Sequence, residues 1–165
     1  MADNSGRTPL SWAVTRYGNG SVAEMFLSRS DVNPETADNS GRTPLSWAAE
    51  KGKDRVVEMF LSRSIVNPET ADKSGRTPLS WAAETGEGRV VEIFLSRSDV
   101  NPETADTYGR TPLSWAAQNG HEGVRQILSE RHNANPTCAN DKQPDALAIN
   151  LLELPEPPSN RIRRS

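Results

Sequence analysis

Apolar positions in this chain fall into a short pattern that returns at a fixed interval. Within residues 38–71, Leu45, Ala48 and Ala49 lie on one face at helical spacing. A second run pairs Val56 with Phe60 and Val57 with Leu61, four residues apart, and gives a broad apolar stripe. Polar and small residues divide the runs. Gly41 in "DNSG" suits a positive φ, so residues 38–41 predict a tight turn. Thr43 followed by Pro44 predicts a helix start, because the hydroxyl can accept from a free backbone N–H and proline fits the first helical position. Gly52 ends this helix after about two turns. A second helix is expected over residues 54–64, and "VNPET" breaks it, since proline lacks a donor and restricts the residue before it. The predicted unit is a turn, a short helix, a turn, a longer helix and an extended return.

The unit recurs. "GRTPLSWA" stands at residues 6–13, 41–48, 75–82 and 109–116, at spacings of 35, 34 and 34. The copies divide as residues 3–37, 38–71, 72–105 and 106–139. The first is one residue longer, with the excess in "AVTRYGNGSVAE" against "AAEKGKDRVVE" in the second. The fourth has a degenerate second helix: Ser129 stands where Leu61 and Leu95 do, and Ala134 where Val66 and Val100 do. Held in register, Leu147 falls on Leu113, so residues 140–154 are read as a degenerate half-repeat closing the stack or as a chance apolar stretch. "PEPPSNRIRRS" at residues 155–165 is rich in proline and charge and is expected to be disordered. Helices this short are marginal alone. Each unit is stable only when docked on its neighbour, so the docking residues repeat because the interface does.

"DNSGRTPLSWAAEKG" followed by "VVEMFL" resembles the ankyrin repeat: a D-x-x-G-x-T-P-L opening, two alanines, a glycine stop and an apolar second helix. The resemblance runs from residue 3 to about residue 136. It implies an all-α solenoid of stacked helix-turn-helix units with β-hairpin-like turns on one side. The usual histidine after "TPL" is Ser11, Ser46, Ser80 and Ser114 here, and the usual leucine after it is Trp12, Trp47, Trp81 and Trp115. With the long return segment, these variations are similar to the ankyrin arrays of filamentous fungi, which are often attached to nucleotide-binding switch proteins. In this family the turn tips and inner helices line a concave face that binds a protein partner.

Composition narrows the function. Of 165 residues, 34% are apolar and 25% charged, and the net charge of -3 argues against a general nucleic-acid surface. A lone cysteine, Cys138, is compatible with a reducing compartment. "MADNSGRTPL" lacks the features of a secretory signal, and no apolar run suggests a membrane span. The expectation is an intracellular and cytoplasmic protein, with the nucleus also open. A regular repeat opens at residue 3 without a polar unit before it, which suggests a fragment or short relative of a longer array.

Candidate chemistry is sparse. The four tryptophans read as a packing ladder between adjacent inner helices, against a ligand platform as the alternative. Arg7, Arg42, Arg76 and Arg110 form a second ladder, facing Glu50 and Glu84 and read as exposed ion pairs or as a charged binding strip. His121, His132 and Cys138 lack zinc-motif spacing. "GNGS" and "GEG" lack the lysine of a phosphate loop. No catalytic residue, cofactor or metal is expected, and no enzyme.

The positions where the copies differ carry the site expectation. At the turn tips these are Asn39, Lys73, Thr107 and Tyr108. At the inner-helix ends they are Glu50, Lys51, Glu84, Thr85, Gln118 and Asn119. Tyr108 stands out, because an aromatic at an exposed tip suits a binding hot spot. The expected function is non-catalytic binding of a protein through the concave face, as a scaffold or sensing arm. Nucleic acid, membrane and small-molecule substrates are not expected. A structural spacer without a specific partner is the other reading.

Overall fold

The computed structural model describes residues 2–16 and 20–134. Among these it holds eight α-helices and no strand: α1 (Pro9–Arg16), α2 (Ser21–Leu27), α3 (Pro44–Glu50), α4 (Asp54–Leu61), α5 (Pro78–Thr85), α6 (Gly88–Leu95), α7 (Pro112–Gln118) and α8 (Glu122–Ala134). Cys138 and residues 140–154 and 155–165 lie outside the described residues.

Each helix pairs with the next, and the pairs stack in two rows. In the inner row α1 packs on α3, α3 on α5 and α5 on α7. In the outer row α2 packs on α4, α4 on α6 and α6 on α8. Local sequence dictates the start of each inner helix. Thr43 and Thr77 are extended N-caps whose hydroxyls accept from the Ser46 and Ser80 amides. The same serine hydroxyls lie 3.2 Å from the threonine hydroxyls and are fully buried. Small side chains then let the inner helices close up: Leu45, Ala48, Ala49, Leu79, Ala82 and Ala83 are wholly buried. The outer helices add Val56, Val57, Phe60, Val90, Val91 and Phe94 to the same core. Each such large apolar side chain contributes about 1.5–3 kcal/mol by leaving water.

The turns project from the inner row and link the units by backbone bonds. In the second turn Asp38 N–H donates to the Arg42 carbonyl and Gly41 N–H to the Asp38 carbonyl, both at 2.9 Å. Asn39 N–H donates to the Ser5 carbonyl of the preceding turn at 2.9 Å, Lys73 to Ser40 at 3.0 Å and Thr107 to Ser74 at 2.9 Å. Gly41 has φ of 82°, and a Cβ there would come within 2.8 Å of the Lys73 amide nitrogen. Glycine is required on both counts.

The outer helices differ from expectation at their ends. The second stops at Leu61 rather than at residue 64, because Ser62 turns its hydroxyl back to the Met59 carbonyl and the Arg63 amide tightens onto Phe60. In the fourth repeat "ERH" replaces "SRS", Ser129 bonds the Arg125 carbonyl four residues back, and α8 runs for 13 residues. The degenerate helix is therefore longer than its counterparts. No helix among the described residues is long and apolar enough to cross a membrane.

The return segments also bridge repeats. Thr70 donates to Glu35 Oε2 at 3.0 Å and Thr104 to Glu69 Oε2 at 2.9 Å. Among the described residues, the second carboxylate oxygen of each glutamate is buried without a partner. Burial pushes both carboxyls above their ordinary value, against the threonine bonds and the bonds from the Asn67 and Asn101 backbone. A raised folded-state value favours the fold below the ordinary carboxyl range, and that contribution is lost as pH rises through the raised value. We therefore expect Glu69→Gln to raise the thermal midpoint at pH 7 and to lose that advantage near pH 4. A variant no more stable than the parent at pH 7 would contradict the burial cost.

Candidate functional site

The face carrying the turns and the inner-helix ends is floored by a single stack of arginine and tryptophan side chains. Each arginine leaves a turn just after its glycine, and each tryptophan stands on the first turn and a half of an inner helix. The Arg7 guanidinium carbon lies 3.9 Å from the Trp12 ring centroid and 4.0 Å from that of Trp47 in the next repeat. Arg42 lies 3.6 Å from Trp47 and 3.7 Å from Trp81. Arg76 lies 3.5 Å from Trp81 and 3.9 Å from Trp115. Three guanidinium groups are thus each held between two indoles. Such a contact contributes from about 0.5–1 kcal/mol when exposed to about 2 kcal/mol when desolvated.

Carboxylates set the orientation of both partners. The indole N–H groups of Trp12, Trp47 and Trp81 donate to Asp3, Asp38 and Asp72 at 2.9, 3.0 and 3.1 Å. At the other end of the guanidinium, Arg42 pairs with Glu50 and Arg76 with Glu84. Arg7 bonds Thr15 at 3.1 Å instead. Burial lowers the Arg42 guanidinium from its ordinary value, while Glu50, Asp38 and Asp72 oppose the shift. Burial acts against the ionised form of Glu50, but bonds from Lys51 and Arg42 hold its carboxyl below the ordinary value.

The fourth repeat departs from this geometry for a legible reason. Gln118 occupies the place of Glu50 and Glu84, so Arg110 has no carboxylate at the helix end. Its Nε turns to Asp106 Oδ2 at 2.9 Å. The Trp115 indole nitrogen, which would use that oxygen, is buried without a partner among the described residues.

On sequence alone the tryptophans are expected as a packing ladder and the arginines as a separate ladder of exposed ion pairs or a charged strip. That is corrected here. They alternate in one stack, and Arg42 and Arg76 are each 7% exposed. Periodicity gives the spacing of each residue type along the chain, but not that one ring faces the guanidinium of the repeat before. On sequence alone the recurring aspartates stand only as turn residues. An available signal was their constant place nine residues ahead of each tryptophan. His121 takes an inter-repeat role, with Nε2 2.8 Å from the Glu84 carbonyl and the ring against Gly86.

Of the candidate partner-binding residues, Asn39, Lys73, Thr107 and Tyr108 are exposed at the tips, and Lys51, Thr85, Gln118 and Asn119 at the helix ends. Tyr108 is 78% exposed, and its ring lies 4.9 Å from the Arg110 guanidinium. Asn39 donates to the Asn4 carbonyl, Thr85 to the Trp81 carbonyl and Asn119 to the Trp115 carbonyl. Glu50 and Glu84 differ from the others. Their side chains are only 16% and 26% exposed, and their carboxylates are taken by the ladder.

Helix pairs stacked in two rows, joined by projecting turns and by contacts between neighbouring units, define a repeat solenoid. The chain belongs to the ankyrin-repeat family: the family model for ankyrin repeats (three copies) matches residues 1–70 and 61–140. A search of curated proteins gave no significant match. Ankyrin repeats are generally protein–protein interaction modules and typically non-catalytic.

Two substitutions separate stacking from charge. Trp81→Ala removes a ring contacting two guanidinium groups and is expected to cost about 3–5 kcal/mol in denaturant unfolding. Arg76→Lys keeps the charge and loses the flat stacking surface, and is expected to cost about 1–2 kcal/mol. An Arg76→Lys protein as stable as the parent would show that charge alone suffices.

Proposed function

We propose that the chain is a non-catalytic recognition module that binds a protein partner across its turn tips and inner-helix ends, as a scaffold or sensing arm. The observation that carries this reading is a separation of labour on one face. The arginine and tryptophan of the ladder recur in every repeat, and the side chains bordering it are exposed and different. Docking between units constrains the first set and leaves the second free to encode a partner. Family membership supports a protein as the ligand class. Lys51 and Lys73 are exposed cations on this border, and Tyr108 offers a flat amphipathic ring at its far end. Glu50 and Glu84 are left out of the proposed contact set, because a partner could engage them only by competing with Arg42 and Arg76.

The test is quantitative affinity capture from the native organism with the parent and with a Lys73→Ala, Tyr108→Ser double variant. Serine is the residue that the other three turns carry at that position. At least one captured protein should fall by tenfold or more while far-UV circular dichroism stays unchanged. An identical captured set would favour a spacer without a specific partner.

A further inference from the structure

We propose that the Arg110 guanidinium is a carboxylate seat, filled by an aspartate or glutamate side chain of the protein partner. The incoming group takes the place of the glutamate for which the fourth repeat substitutes Gln118. This deepens the reading of the face as a recognition surface and rests on it.

The other three rungs of the ladder show what the seat lacks. In each, the arginine Nε is buried without a partner among the described residues. Its Nη2 instead reaches an acceptor at the end of the inner helix. That acceptor is the Thr15 hydroxyl for Arg7, the Glu50 carboxylate for Arg42 and the Glu84 carboxylate for Arg76. With Nε held away, the aspartate Oδ2 of each turn is left to the indole N–H.

The fourth rung is inverted. Gln118 is exposed and does not take up the glutamate's bond to the arginine. Arg110 turns Nε to Asp106 Oδ2 at 2.9 Å, and its terminal nitrogens have no hydrogen-bond acceptor among the described residues. Trp115 is only 8% exposed, and its indole N–H is left without an acceptor among the same residues. Buried donors are nearly always satisfied, so an orphaned one calls for a group that completes the site.

One carboxylate from outside satisfies both donors. Seated on the terminal nitrogens, it does for Arg110 what Glu50 does for Arg42, in the paired geometry that a guanidinium fork favours. Arg110 Nε can then leave Asp106 Oδ2, which is free to accept the Trp115 indole N–H as in the other repeats. Asp106 does not bar an anion, because Asp38 and Asp72 act on Arg42, which holds Glu50 all the same. The seat is reachable from the recognition face, since the Arg110 side chain is 36% exposed. The Tyr108 ring beside it, 4.9 Å from the guanidinium and 78% exposed, can pack on the stem of the incoming residue. A phosphate polymer fits less well, since Arg42 and Arg76 are already paired and leave no run of cations.

Indole N–H resonances of the full chain, followed by proton–nitrogen NMR at pH 7 during titration with sodium acetate, test the proposal. Sodium chloride at equal ionic strength controls for screening, and Trp115→Phe identifies the resonance. The Trp115 resonance is expected to move downfield as its N–H gains Asp106, and to level off with acetate, while those of Trp12, Trp47 and Trp81 stay in place. Gln118→Glu supplies the carboxylate from within. Its Trp115 resonance should start downfield and no longer respond to acetate. A Trp115 resonance unmoved by acetate overturns the proposal, as it would be if a carboxylate from residues 135–165 already filled the seat. So does a shift of equal size in chloride, or an unaltered acetate response in Gln118→Glu. No partner enters this measurement. A protein captured through the turn tips without the acetate response would therefore remove the seat alone and leave the recognition reading standing.

Discussion

The guanidinium held between two indoles is the contact on which this architecture depends. It does what a purely apolar junction cannot, since it sets both the spacing and the rotation of successive units. The Arg42 guanidinium lies within 3.7 Å of both the Trp47 and Trp81 ring centroids, and each ring is oriented by an indole N–H bonded to an aspartate of its own turn. The aspartate also accepts the amides that close the turn, as Asp38 does from Ser40 and Arg42. Turn, inner helix and neighbouring repeat are therefore linked through one carboxylate. Burying a cation is costly unless it is paired. Glu50 and Glu84 meet that requirement for Arg42 and Arg76.

The same arrangement shapes the surface available for recognition. Because the ladder occupies the floor of the face, its charges are internally matched and do not present a bare cationic strip. What reaches solvent is the border: the tip residues on one side and the helix ends on the other. Variation there does not disturb stacking, as the exposure of Lys73, Thr85 and Asn119 illustrates. Variation within the ladder does propagate. One change from glutamate to Gln118 goes with a turned Arg110, a different Asp106 bond and an unpartnered Trp115 indole.

Much of the fold was legible in the sequence because it is built from local signals. Threonine followed by proline marked each inner helix, and the N-cap bonds of Thr43 and Thr77 follow from it. Glycines at the turns and helix ends take positive φ, Gly41 and Gly52 among them. Less was legible where the outcome depends on three dimensions. Tryptophan and arginine repeat at the same interval, and a shared interval does not reveal which faces which across a junction. The pairing of Glu50 and Glu84 with the arginine ladder was legible, but nothing in their spacing eight residues from each arginine shows that the pairs are largely buried rather than exposed. The extension of α8 came from the loss of serines that otherwise fold back on the helix end.

A double-mutant cycle between Arg42 and Trp81 addresses the coupling of repeats most directly. Arg42→Met, Trp81→Leu and the double variant are compared with the parent by chemical denaturation. A pair in direct stacking contact should show a coupling free energy of about 1 kcal/mol or more, and Arg42 with Trp115, which do not touch, should be additive. Additivity of Arg42 and Trp81 within about 0.5 kcal/mol would contradict the account.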